Sequence, residues 1–182
     1  MSTESSAAPQ APTGSSPAAS GLGSQLAGKY MTFKLAEEEY GLEILKVREI
    51  IGLMDITRVP CTSEFICGVI NLRGKVIPVV DLRLKFGMER SQATDQTVII
   101  VVQYAFEGKP LTMGLLVDQV LEVRSIGARQ IEPPPHFGTG AYEADFFLGV
   151  GMSDKRVIFL LDIGRVLSSA DTKAVAHVEI GA

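Results

Sequence analysis

The chain has no tryptophan and only two histidines and two cysteines among its 182 residues. His136 and His177 lie far apart in sequence, and Cys61 and Cys67 have no second Cys or His pair beside them, so no zinc ligand set of recognisable spacing is present. Two cysteines build no disulfide framework either, and they read as reduced thiols in a core. A basic excess is also missing: 17 Lys and Arg stand against 21 Asp and Glu, a formal net charge of −4, which argues against a nucleic-acid binder. Long apolar runs are absent. The longest, Val98–Val102 and Val157–Leu161, have strand length and fall far short of the ~18–20 residues that cross a bilayer, so no membrane insertion is expected. The N-terminus lacks the basic and apolar regions of a secretory signal. Residues 1–28 are Ser, Ala, Pro and Gly with almost no large apolar side chain, and such a segment buries too little surface to offset its ordering entropy. It reads as a disordered, passive leader, with a polar tail at 171–182.

What is present is a repetition. Gly68-Val69, Val76-Ile77 and Asp81-Leu82 recur 81 residues later as Gly149-Val150, Val157-Ile158 and Asp162-Ile163, and Phe65 and Phe146 keep the same offset. Upstream, Gly41-Leu42, Val47, Glu49-Ile50 and Pro60 align with Gly114-Leu115, Val120, Glu122-Val123 and Pro133 at an offset of 73. An insertion near His136–Asp145 accounts for the difference. A unit of this size exceeds a solenoid module and suits a small domain, so duplication into two similar subdomains is expected.

Short runs rich in Val, Ile, Leu and Phe, separated by Gly, Pro or polar turns, read as strands. Ten are expected: Tyr30–Leu35, Tyr40–Ile44, Val47–Leu53, Val69–Leu72, Val76–Asp81, Val98–Tyr104, Leu111–Val117, Gln119–Ser125, Phe147–Met152 and Arg156–Asp162. Glu107-Gly108 and Arg73-Gly74 read as hairpin tips, and Pro78 as an edge or bulge position. Short helical turns are expected at Ser63–Cys67, Leu82–Phe86 and Gly164–Ser169. Five strands per repeat favour closure over an open sheet. The expected architecture is all-β, two five-stranded barrels side by side over residues 29–170. Residues 29–90 would form the first and 91–168 the second, divided near Met88–Thr94, with strand exchange between them left open.

A search for catalytic chemistry fails. No nucleophile–base pair can be assembled, Gly74-Lys75 lacks the rest of a phosphate loop, and no cofactor is expected. Asp81 and Asp162 close equivalent strands and read as acceptors for the backbone of the following turn. On a strand, Val47, Glu49 and Ile51 would share one face. The two repeats diverge at Asn71-Leu72-Arg73-Gly74, whose counterpart is Met152-Ser153-Asp154-Lys155, and an arginine at a tip can fork onto a carboxylate or a partner's carbonyls. A solvated turn arginine explains the residue equally well. Binding, not turnover, is the expectation.

Three strings carry a family resemblance: Tyr40-Gly41-Leu42-Glu43-Ile44-Leu45-Lys46-Val47-Arg48-Glu49-Ile50, Phe65-Ile66-Cys67-Gly68-Val69-Ile70-Asn71-Leu72-Arg73-Gly74 and Val76-Ile77-Pro78-Val79-Val80-Asp81-Leu82-Arg83. Over about Tyr30 to Leu167 the chain resembles the CheW family of bacterial chemotaxis coupling proteins. That resemblance implies two SH3-like barrels and a non-catalytic cytoplasmic adaptor, recruited to membrane-associated arrays. Its partners would be the regulatory domain of the histidine kinase CheA and the cytoplasmic tips of methyl-accepting chemotaxis proteins. The family's receptor contacts carry over to Val47, Glu49 and Arg73, and its kinase or array contact to Phe137 in the Pro-rich loop after Glu132, a position basic in some members. A CheW-like scaffold in a non-flagellar pathway is the alternative.

Overall fold

The computed structural model describes residues 17–134, 146–167 and 171–173. Its elements are α1 (Pro17–Leu26), β1 (Gly28–Leu35), β2 (Glu38–Glu43), β3 (Val47–Gly52), β4 (Ile66–Leu72), β5 (Lys75–Asp81), α2 (Leu82–Lys85), β6 (Val98–Phe106), β7 (Lys109–Val117), β8 (Gln119–Ile126), β9 (Ile131–Glu132), β10 (Phe147–Ser153), β11 (Arg156–Leu161) and α3 (Ile163–Val166). Short 3-10 turns at Ile44–Lys46 and Ala128–Gln130 lead into β3 and β9. All ten expected strands are present, and β9 is added. Ser63–Cys67 is no helix: a turn at Glu64-Phe65 runs straight into β4.

The strands form two sheets, one ordered β8-β1-β2-β11-β10-β9 and one ordered β3-β6-β7-β5-β4. A division at Met88–Thr94 therefore does not separate them. Each sheet takes the opening hairpin of one repeat (β1-β2 or β6-β7) and the closing strands of the other. The exchange is reciprocal and preserves pairing: β2 runs parallel to β11 as β7 runs parallel to β5. Hydrophobic alternation fixes which residues form strands, while the choice of neighbour depends on contacts remote in sequence.

The repeated residues have repeated jobs. Asp81 caps α2 by accepting from the backbone N–H of Arg83 at 2.9 Å, and Asp162 accepts likewise from Gly164 at 3.0 Å. Their own N–H groups donate to the carbonyls of Phe65 and Phe146. Gly68 and Gly149 recur because another segment crosses close by: a Cβ would stand 2.1 Å from the Thr57 carbonyl oxygen at the first and 2.8 Å from that of Glu132 at the second. The bulges also repeat. The ladder slips between Ile66 and Gly68 and between Phe147 and Gly149. A slip between β1 and β8 leaves backbone groups of Glu122 that the buried Thr32 hydroxyl satisfies, donating to its carbonyl at 2.7 Å and accepting from its N–H at 3.2 Å.

Among the described residues three apolar clusters result. The largest joins the two sheets and includes Phe33, Leu42, Val80, Val102, Met113 and Leu161. One is made by the β8-to-β9 sheet, around Tyr30, Ile126, Ile131, Ile158 and Leu160, and one by the β3-to-β4 sheet, around Ile70, Ile77, Val79, Ile99 and Val101. Pro78 sits in the interior strand β5, not at an edge, but one residue before the stretch that pairs with β7. Of the thiols, Cys61 is exposed and Cys67 is half-buried, its pKa pushed up to about 11 by burial and by Asp81, so only one borders a core.

Candidate functional site

Strand β4 turns into β5 through Arg73 and Gly74, whose φ angles of 52° and 85° make the two-residue turn that matches strand twist. The Asn71 side-chain oxygen accepts from the Gly74 N–H at 2.9 Å and fixes the tip. From it Arg73 forks onto Glu49 of β3, with Nη1 to Oε1 at 2.7 Å and Nη2 to Oε2 at 2.9 Å. Strands β3 and β4 are the two edges of their sheet, so the fork ties one edge to the other. The Arg73 side chain remains 74% exposed while Glu49 is 29% exposed. The guanidinium is thus held in one orientation yet open to solvent, with donors to spare.

The hydrogen bonds from Arg73 hold the Glu49 carboxyl below its ordinary range, against a smaller opposing effect of desolvation and with help from the positive charge. Because the folded pKa is depressed, the pair's contribution is complete above the ordinary glutamate value of about 4.3 and is lost as pH falls through the lowered value. An NMR titration of the Glu49 carboxyl is expected to give a midpoint below that of a free glutamate, and Arg73→Gln to return it upward.

Val47 does not share a face with Glu49. The ladder between β3 and β6 slips at Arg48, so Val47 pairs with Val102 of the inter-sheet core while Glu49 pairs with Val101, in the cluster that Ile51 joins. The bulge reverses the alternation that a regular strand would keep. Phe137 lies outside the described residues; Glu132, on β9 opposite Val150, is exposed.

Sequence reasoning missed two features. The second repeat has its own tie, from the edge strand β8 to the turn between β10 and β11: Arg124 binds Asp154 at 3.0 Å, the Ser153 hydroxyl at 2.9 Å and, on its own strand, Glu122 at 2.7 Å. Arg124 stands where the first repeat has Ile51, a substitution visible when the repeats are aligned. Two apolar side chains also stand in solvent: Leu45, on the 3-10 turn before β3, is 86% exposed, and Ile50, which pairs with Ile100 and so faces away from Glu49, is 41% exposed. A cleft of about 230 Å³ near the 3-10 turn before β3 is lined by Leu42, Glu43, Lys46, Leu148, Leu161, Asp162 and Ile163, with no Ser, Thr, Cys or His among them. Among the described residues no cluster of His, Cys, Asp or Glu is placed to hold a metal, and no helix is long and apolar enough to cross a membrane.

Two strand-exchanged sheets with an exposed charged fork at a hairpin tip define a binding scaffold, with its chemistry on its surface. A family model for the CheW-like domain matches residues 29–171. The Chemotaxis protein CheW of Klebsiella aerogenes is 38% identical over 160 residues, covering 85% of this chain and 93% of that protein. That of Rhizobium meliloti is 35% identical over 144 residues, covering 79% and 90%. The solved structure of the scaffolding protein TtCheW from Thermoanaerobacter tengcongensis superposes with a TM-score of 0.69 at 37% identity, over 80% of this chain and 96% of that one. The chain belongs to the CheW-like family, and it is a chemotaxis coupling adaptor and not an enzyme.

Proposed function

We propose that this chain joins the cytoplasmic tips of methyl-accepting chemotaxis proteins to the regulatory domain of the histidine kinase CheA, acting in the cytoplasm at membrane-associated receptor arrays. The observation that carries the receptor half is the fork between Arg73 and Glu49, which presents a pre-oriented guanidinium on an exposed hairpin tip. Arg73 supplies hydrogen bonds to carbonyls or a carboxylate of the receptor tip, and Glu49 orients it. Val47 acts from behind, seating β3 on the inter-sheet core. Phe137 serves the kinase or array contact.

The physical work is to hold two partners in one geometry. In an array, linking modest contacts raises effective concentration and gains roughly 10²–10⁴ in avidity. Calorimetric titration of the purified chain with a receptor-tip fragment, and separately with the kinase regulatory domain, tests the proposal. Saturable binding of each is expected, with no ATP hydrolysis by the chain alone; failure to bind either, or turnover, contradicts it.

A further inference from the structure

The two sheet cores are not filled alike. Ile70 and Ile51 pack into the β3-to-β4 sheet, whereas their counterparts in the other repeat are Gly151 and Arg124, which leaves that sheet short of two large apolar side chains. Leu26, the last residue of α1, packs against the cluster of Tyr30, Ile126, Ile131, Ile158 and Leu160, and its Cδ1 lies 3.4 Å from where a Cβ on Gly149 would stand. The Tyr30 hydroxyl donates to the Leu26 carbonyl at 2.5 Å. One turn earlier, buried Gly23 lies against the Ala128–Gln130 turn, so close that a Cβ would sit 2.2 Å from the Ala128 carbonyl oxygen. Residues 17–26, read from composition as disordered leader, are therefore a docked helix, and they precede the span of the family match.

Composition explains why the helix exists only in place. Ten residues are too few for an isolated helix in water, and two of them, Gly21 and Gly23, are poor helix formers. We propose that α1 is a core plug that orders only on docking, completes the β8-to-β9 sheet, and makes the segment before β1 a control element for the order of β9. Whatever binds or pulls that segment acts on the sheet through Leu26 and Gly23.

The test compares the full chain with Gly23→Leu, Leu26→Ala and a chain lacking residues 1–26. Leucine and alanine are better helix formers than the residues they replace or equal to them, so propensity alone predicts no loss of stability. Docking predicts that both substitutions, and the truncation, lower the melting temperature by about 5–15 °C. Amide exchange at Ile131 and Val150 should rise at least about tenfold through local opening. A third readout is the Tyr30 phenol, pushed up to about 12 by burial and then by Glu43, which should titrate nearer the ordinary value of about 10 once the plug leaves. Unchanged melting and exchange in both Gly23→Leu and Leu26→Ala would overturn the proposal, whatever the truncation does.

Discussion

Val79→Asp is expected to leave the purified chain unfolded at room temperature, with no cooperative melting by circular dichroism. Val79 is fully buried in β5, in the cluster with Ile70, Ile77, Ile99 and Val101, and its Cγ2 lies 3.3 Å from where a Cβ on Gly114 of β7 would stand. No hydrogen-bond donor is among those neighbours, so the carboxyl would be buried without a partner at a cost of several kcal/mol, on top of the lost apolar contacts. Total stability of a domain is about 5–15 kcal/mol, so one such change is enough to abolish folding. Val76→Asp is the control. Val76 lies on the same strand opposite Asn71 near the hairpin tip, half-buried, and the change there should leave a cooperative transition within a few degrees of the parent. Normal melting of Val79→Asp would remove β5 from the core and with it the strand-exchanged topology.

The second large effect is functional. Arg73→Glu should weaken receptor-tip binding by at least roughly tenfold while kinase binding and melting temperature stay close to the parent's. The side chain is exposed on a turn whose backbone is held by Gly74 and Asn71, and exposed ion pairs contribute little to stability. The reversal removes the guanidinium and sets two carboxylates together where the fork was. Arg73→Glu combined with Glu49→Arg separates two roles. It restores an ion pair but moves the cation from the tip to the strand, so the sheet edges are tied again while receptor binding stays weak. Recovery of binding in the double variant would mean that the tie, and not the presented arginine, is what the receptor needs.

The duplication was legible because its marks are local necessities. Gly68 and Gly149 admit a crossing segment, and Asp81 and Asp162 cap the following turn, so each imprint is fixed by its own neighbourhood. Strand existence was legible from alternation for the same reason. The pairing was not, since β1-β2 could have joined β3 to β5 without any change in hydrophobic pattern; what decides is packing across the chain's full length. Arg48 shows a smaller failure of the same kind: a bulge is a property of a pair of strands, and a single strand's pattern put Val47 on the wrong face. The α1 helix was hidden because its composition opposes helix and only docking supplies one. Arg73 stood out as a divergence between repeats, but its partner Glu49 lay on a strand 24 residues away and was matched by Glu122 in the other copy, which masked it.

Coupling requires that one chain hold both partners at once. Size-exclusion chromatography with light scattering on a mixture of the chain, a receptor-tip fragment and the kinase regulatory domain measures this directly. A complex whose mass contains all three, with the receptor fragment alone missing when Arg73→Glu replaces the parent chain, is the predicted result. Mutually exclusive binary complexes would contradict the adaptor account, since they would place receptor and kinase on the same surface.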